Sequence, residues 1–243
     1  MKTLKIISIF FLFPLVCWGQ RNSGNVTWFT LSLKGGYGTT ILFNQPSFDD
    51  SKVEYKYFSP SYLVAGRFGL VFGDYVGFSF DAGINDFSQG YIVNSNLNRI
   101  FKASSFEYGV MLNFQSATGF FFDIGPKFVD LNKATISDNT SSMLDILGHI
   151  EQKYMKVNIG VGIKPVMADL FEVKIGLNAS YSVSSIVSES GFIIPTFSNT
   201  DYIPSYTNEA THPLQVMLGV ELTYVFGRYG RASCGKYRFM FNN

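Results

Sequence analysis

Eight segments of this chain switch between apolar and polar side chains at every residue, for roughly 12 to 18 residues at a time. A period of two places successive side chains on opposite faces of an extended strand, so the chain must build a sheet with one apolar and one polar face. The clearest case runs from Tyr75 to Tyr91, with Val76, Phe78, Phe80, Ala82 and Ile84 on one face and Gly77, Ser79, Asp81, Gly83 and Asn85 on the other. Phe171 to Ser184 repeats it, setting Phe171, Val173, Ile175, Leu177, Ala179, Tyr181 and Val183 against Glu172, Lys174, Gly176, Asn178, Ser180 and Ser182. Neither segment fits the 3.6-residue period of a helix.

The expected strands span 26–43, 60–72, 75–91, 101–115, 120–131, 153–165, 170–185 and 213–226. Short connections at 73–74, 116–119 and 166–169 then alternate with long ones at 44–59, 92–100, 132–152 and 186–212. An even strand number with turns at one end and long loops at the other is the pattern of an outer-membrane barrel. The expected fold is therefore all-β, an eight-stranded antiparallel up-and-down transmembrane β-barrel with both termini in the periplasm.

A soluble eight-stranded barrel alternates equally well but turns its apolar face inward. Composition separates the two, because only 15% of the residues are charged, against roughly 25% in ordinary soluble domains. The polar face is also rich in glycine, including Gly36, Gly77, Gly109, Gly125, Gly160 and Gly219, as a crowded lumen requires. Aromatic residues gather at the short-turn ends of the apolar face, at Phe72, Phe114, Phe120, Phe171, Tyr224 and Phe226, where an interfacial girdle belongs. Beyond the N-terminus no apolar run approaches the length of about 18 residues that a transmembrane helix needs. A net charge of +1 without a dense Lys/Arg stripe gives no footprint for nucleic acid.

At the N-terminus Lys2 and Lys5 precede an apolar run from Ile6 to Val16 and the short exit Cys17-Trp18-Gly19-Gln20. That is the pattern of a secretory signal, expected to be removed after Gly19. Lipid attachment at Cys17 is the alternative, and Pro14-Leu15-Val16 lacks the small residue it calls for. The expected division is a signal peptide at 1–19, a barrel at 20–226 and a basic periplasmic tail at 227–243. The tail holds Arg228, Arg231, Lys236 and Arg238 with no acidic residue, and its Tyr237, Phe239 and Phe241 alternate once more. Once the signal is removed Cys234 is the single cysteine, so no intramolecular disulfide forms.

On the inward face six basic residues, Lys34, Arg67, Lys127, Lys156, Lys164 and Lys174, stand against five acidic ones, Asp81, Glu107, Asp123, Glu172 and Glu221. An eight-stranded interior is only wide enough for its own side chains, and isolated charges there are costly. An interlocked ion-pair network that closes the lumen is the expected arrangement, with a narrow channel as the alternative.

No His/Cys cluster with metal-ligand spacing is visible, no cofactor is expected, and Asp49-Asp50 alone is a weak calcium signal. Of the two histidines, His149 lies in the third long loop near Ser142, Asp145 and Glu151, and His212 sits at the mouth of the last strand. A nucleophilic site needs a base that touches a nucleophile and is oriented by an acid. The chain lacks the strand-borne His-x-Ser pair of deacylase barrels, so a non-enzymatic role is expected, with a lipid A hydrolase as the alternative. Two loop segments are candidate interaction surfaces. Ser142-Met143-Leu144-Asp145 resembles a capping box, and Met143, Ile146, Leu147 and Ile150 lie along one face of a short amphipathic helix. Phe192, Ile193, Ile194 and Phe197 make the fourth long loop apolar.

The signal ending in Gly-Gln, the strand Thr30-Leu31-Ser32-Leu33-Lys34-Gly35-Gly36-Tyr37-Gly38, and the stretches Gly66-Arg67-Phe68-Gly69-Leu70 and Phe80-Asp81-Ala82-Gly83 resemble the outer-membrane β-barrel family of Bacteroidetes that includes PorT-like proteins. The resemblance covers nearly all of the mature chain through generic Gly/aromatic strand patterns. It implies a small OmpA-type barrel in the outer membrane of a Gram-negative bacterium, among its lipids and envelope proteins, with an accessory part in type IX secretion. It carries no catalytic or binding residue onto this chain.

Overall fold

A computed structural model describes residues 27–73, 75–94, 96–138, 143–168, 170–187, 194–196, 209–231 and 237–241. The signal segment, Cys234, Ser142, Phe192, Ile193 and Phe197 lie outside the described residues.

Eight long antiparallel strands form a closed ring: β1 (Thr27–Phe43), β3 (Pro60–Phe72), β4 (Val76–Val93), β5 (Leu97–Gln115), β6 (Phe120–Asp138), β8 (Lys153–Met167), β9 (Phe171–Ser182) and β10 (His212–Arg231). Each pairs with the next, and β1 closes on β10 from Thr27↔Tyr229 to Phe43↔His212. Closure satisfies the backbone of every strand, as hydrocarbon surroundings demand. Gly73 and Gly119 turn the chain with positive φ of 62° and 85° at two of the short connections, a backbone region costly for other residues. Three short strands join the ring: β2 (Val53–Lys56) on β4, β7 (Leu144–Asp145) on β6, and β11 (Tyr237–Phe241) on β10.

Between Leu214 and Tyr224 the outward residues of β10 are apolar, and Leu218 and Leu222 are more than half exposed. The same holds for Leu31 and Leu33 on β1, and outward Phe78 and Phe80 on β4 and Ile163 on β8 are exposed as well. Eleven residues from Leu214 to Tyr224 match the roughly 9 to 11 that carry a tilted strand across a bilayer. Aromatic pairs mark the short-turn border, with ring centroids 5.1 Å apart for Phe171–Tyr224, 6.0 Å for Phe72–Phe78 and 6.2 Å for Phe114–Phe122. The molecule is a transmembrane barrel with an apolar belt and a polar lumen.

At the long-loop end, β4, β5 and β6 continue past the belt and their polarity reverses. Outward positions become polar at Asp86, Lys102, Ser104 and Asp130, while inward positions become apolar at Phe87, Tyr91, Val93, Phe101, Ala103, Val129 and Leu131. The reversal tracks the change of solvent, since strands in water hide their apolar face and strands in lipid display it. Asp86 pairs with Ser104 and Asp130 with Lys153, so the changeover runs across neighbouring strands. From Asp86 to Val93 the extension rises about 20 Å at the usual strand spacing.

Three expected boundaries are corrected, two of them by this extension. The long connection expected at 92–100 is replaced by strand pairing that reaches Val93 and its partner Leu97, with Asn94 at φ 52°. β6 runs to Asp138 rather than ending near 131, and β10 runs to Arg231 rather than ending at 226. At the long-loop end a reading tuned to apolar-outward alternation stops where the sign inverts, although β4 and β6 do not. The helix expected over 142–150 is also absent from the described residues 143–150. β6 takes the backbone there: Leu144 and Asp145 pair with Ile136 and Thr135, and the Ile146 N–H donates to Ala134 O at 3.0 Å. The chain then makes a single 3-10 turn, Leu147–His149, with the Asp145 carboxylate accepting from Leu147 N–H at 2.9 Å. The connection at 44–59 holds a five-residue helix, α1 (Gln45–Asp49), capped by Asn44, and then β2.

Candidate functional site

All eleven charged residues expected on the inward face lie there. Nine are buried, and Glu172 and Lys174, nearest the short-turn mouth, are half-buried. Arg67 is the hub. Its Nε and Nη2 meet the two oxygens of Asp81 at 2.7 and 2.9 Å, and its Nη1 reaches Asp123 at 2.7 Å and Glu221 at 3.1 Å. Planar guanidinium geometry allows one side chain to hold three carboxylates, which a lysine ammonium does less well. Strand register assembles the cluster: Arg67 stands opposite Asp81, Asn113 opposite Asp123, and Glu221 opposite Lys34 on one side and Lys174 on the other. Asn113 donates to Asp123 at 2.9 Å, and Lys174 donates to Glu221 at 3.0 Å.

Two further groups flank this hub. Toward the short turns, Lys164 donates to Glu172 at 2.7 Å and to Gln115. Toward the long loops, Lys156 donates to Glu107 at 2.6 Å and to Gln215 at 2.9 Å, and Asn85 donates to Glu107 at 2.6 Å. Lys127 stands directly opposite Lys156 in the register, a like-charge neighbour, and turns instead toward Asp81 at 3.8 Å. Lys34 is the sixth cation. It donates to the amide oxygen of Asn178 at 2.8 Å and, among the described residues, makes no ion pair. Beside the Glu107 group a void of about 10 Å³ touches Asn85 and Asn158, and Asn85 Oδ1 and Asn158 Nδ2 both lack a partner among the described residues. That volume fits a single water joining acceptor to donor.

The amides Asn85, Asn113, Asn178 and Gln215 are part of this network without having been singled out from the sequence. Their inward parity was legible; their reach across the lumen was not, because 130 residues separate Asn85 from Gln215.

Above the charges the lumen turns apolar. Leu42, Tyr55, Tyr91, Phe101, Leu131 and Tyr154 pack into one cluster that also takes in Ile146, Ile150, Ile186, Val187 and Ile194 from the loops. Of the candidate loop surface, Ile146, Ile150 and Ile194 are therefore inside, Leu147 packs against them, and Met143 is exposed. Arg99 ties down the loop that carries Ile194 by donating to Pro195 O at 3.1 Å and pairing with Asp138 at 3.5 Å. At the opposite mouth a cavity of about 250 Å³ opens among the short turns, floored by Arg67, Lys164 and Lys174 and walled by Trp28, Val71 and Met167.

His212 stacks on Tyr181 with ring centroids 5.7 Å apart, and its Nδ1 lies 3.0 Å from Ser182 O, the geometry of an N–H held by a backbone carbonyl. His149 is exposed in the 3-10 turn. Asp49 accepts from Gln45 at 2.8 Å and Asp50 from Lys52 N–H at 3.0 Å, so each serves local turn structure.

No family sequence model matches this chain, and neither does any curated protein. Among solved structures, Neisserial surface protein A is similar at 9% identity and TM-score 0.41, over 81% of this chain and 97% of that one. The attachment invasion locus protein Ail of Yersinia pestis is similar at 11% identity and TM-score 0.38, over 83% and 100%. The outer membrane protein OprG from Pseudomonas aeruginosa is similar at 8% identity and TM-score 0.38, over 84% and 98%. Similarities of that size say nothing of a shared role.

Proposed function

We propose that this chain is a non-conducting barrel of the Gram-negative outer membrane, an envelope anchor or accessory component that acts through what it presents at its two mouths. The observation that carries this reading is the filled interior. A hub of one arginine and three carboxylates crosses the middle of the lumen, and an apolar cluster seals it above. A solute path would have to break both layers, each held by tight packing or by charges that are costly to strand. The short-turn end, with both termini, faces the periplasm in this reading. The long-loop end offers Tyr57, Phe58, Met143 and Leu144 as exposed apolar groups, with Met143 and Leu144 carried on the connection between β6 and β8. The resemblance to PorT-like barrels makes protein secretion across the outer membrane the first assembly to examine.

Two measurements test the proposal. The purified chain in planar bilayers is expected to show no unitary conductance steps, and regular steps would overturn the closed lumen. Crosslinking in cells, with subsequent purification of a tagged chain, is expected to recover the same envelope protein repeatedly. Recovery of the chain alone would overturn the accessory role.

A further inference from the structure

Among the described residues the last strand of the structure is an open edge. β10 passes its final partner on β9 at Tyr224↔Phe171 and continues to Arg231, while β1 stays on its other side as far as Tyr229↔Thr27. β11 takes the vacated side, pairing antiparallel from Gly227↔Phe241 to Arg231↔Tyr237. It is the terminal strand of the sheet, and among the described residues it pairs with β10 alone. About half the backbone groups of such a strand point away from its partner, a template for one more strand. The segment 227–243 also carries Arg228, Arg231, Lys236 and Arg238 and no acidic residue.

We propose that β11 receives an extended acidic segment of another polypeptide, which adds a strand to its free edge just below the membrane. The inference rests on the reading that the short-turn end faces the periplasm. Two features converge on this occupant. An open ladder edge is continued only by polypeptide backbone, whose alternating N–H and C=O groups match it. Four cations with no acidic residue among them favour an acidic sequence over a neutral or basic one. Anionic lipid headgroups share the charge preference but have no means of extending the ladder.

The test uses the full chain in detergent micelles and three fluorescent peptides of about ten residues. One alternates glutamate with valine, one alternates lysine with valine, and one keeps the glutamates but interrupts the strand with prolines. The first is expected to bind about tenfold or more tighter than either of the others. Loss of binding on removal of residues 232–243 supports the assignment, as does weakening by Arg238→Glu, which keeps the strand. Equal binding of the two acidic peptides would overturn edge pairing in favour of bare charge. Displacement of the bound peptide by vesicles of anionic phospholipid would assign the site to headgroups. Self-association that disappears with residues 232–243 would give the edge to a second copy, and no binding at all would overturn the proposal outright.

Placement is checked separately with a membrane-impermeant maleimide directed at Cys234. Labelling only after the outer membrane is permeabilised supports a periplasmic partner. Labelling in intact cells would overturn that compartment while leaving the peptide result standing.

Discussion

Arg67 and Asp81 face each other directly across the β3–β4 pair, and two parallel N–H···O contacts of 2.7 and 2.9 Å join them in the middle of the lumen. The same guanidinium holds Asp123 and Glu221. Replacing it strands three carboxylates rather than one.

Arg67→Met, which roughly keeps the volume, is expected to destabilise the barrel by about 3–5 kcal/mol, the cost of breaking a buried charge network from one side. Urea titration of the chain folded in lipid vesicles, read by the gel shift of folded barrel, measures it. Arg67→Lys should cost less, because it keeps the charge and loses the fork. A wild-type midpoint for Arg67→Met would refute the hub.

Lys34 has the opposite expectation. It donates to Asn178 and makes no ion pair among the described residues, so Lys34→Met removes a desolvated cation and leaves no carboxylate stranded. Its unfolding midpoint should stay within about 1 kcal/mol of wild type or rise. A loss as large as that of Arg67→Met would show that Lys34 carries the network.

Phe101 is fully buried in the apolar cluster, packed on Phe87 at a ring distance of 6.1 Å. Phe101→Ala should cost that cluster about 3–5 kcal/mol. Because the cluster lies above the membrane belt, limited proteolysis should cut the long-loop end of the variant while the urea midpoint of the ring moves much less. Joint loss of both would mean that cap and barrel unfold as one unit.

Leu33 stands opposite Leu222 on the lipid face, and both are more than half exposed. Leu33→Arg should lower stability in vesicles by about 2–4 kcal/mol if this row lies near the bilayer centre. Tyr57→Arg, placed where the chain leaves β2, should change it by no more than about 0.5 kcal/mol. Similar effects at the two positions would misplace the belt.

Much of this architecture was legible because alternation is local. Parity along β3 and β4 was enough to put Arg67 and Asp81 on the same face, and glycine on that face told lumen from lipid. The strand extents near Val93 and Asp138 were not, because the apolar face changes sides where the surroundings change from lipid to water. The loop isoleucines Ile146 and Ile150 fit one side of a helix by spacing, and the edge of β6 captured the backbone beside them first.

The sequence by itself determined an eight-strand rhythm, the direction each side chain faces and the near balance of charge inside, all properties of neighbours along the chain. Only the tertiary structure decided which charges meet, that Arg67 serves three acids while Lys34 serves an amide, and that the lumen ends in an apolar seal. Those outcomes depend on strand register and closure. They join residues as far apart as Arg67 and Glu221, whose separation along the chain carries no local signal.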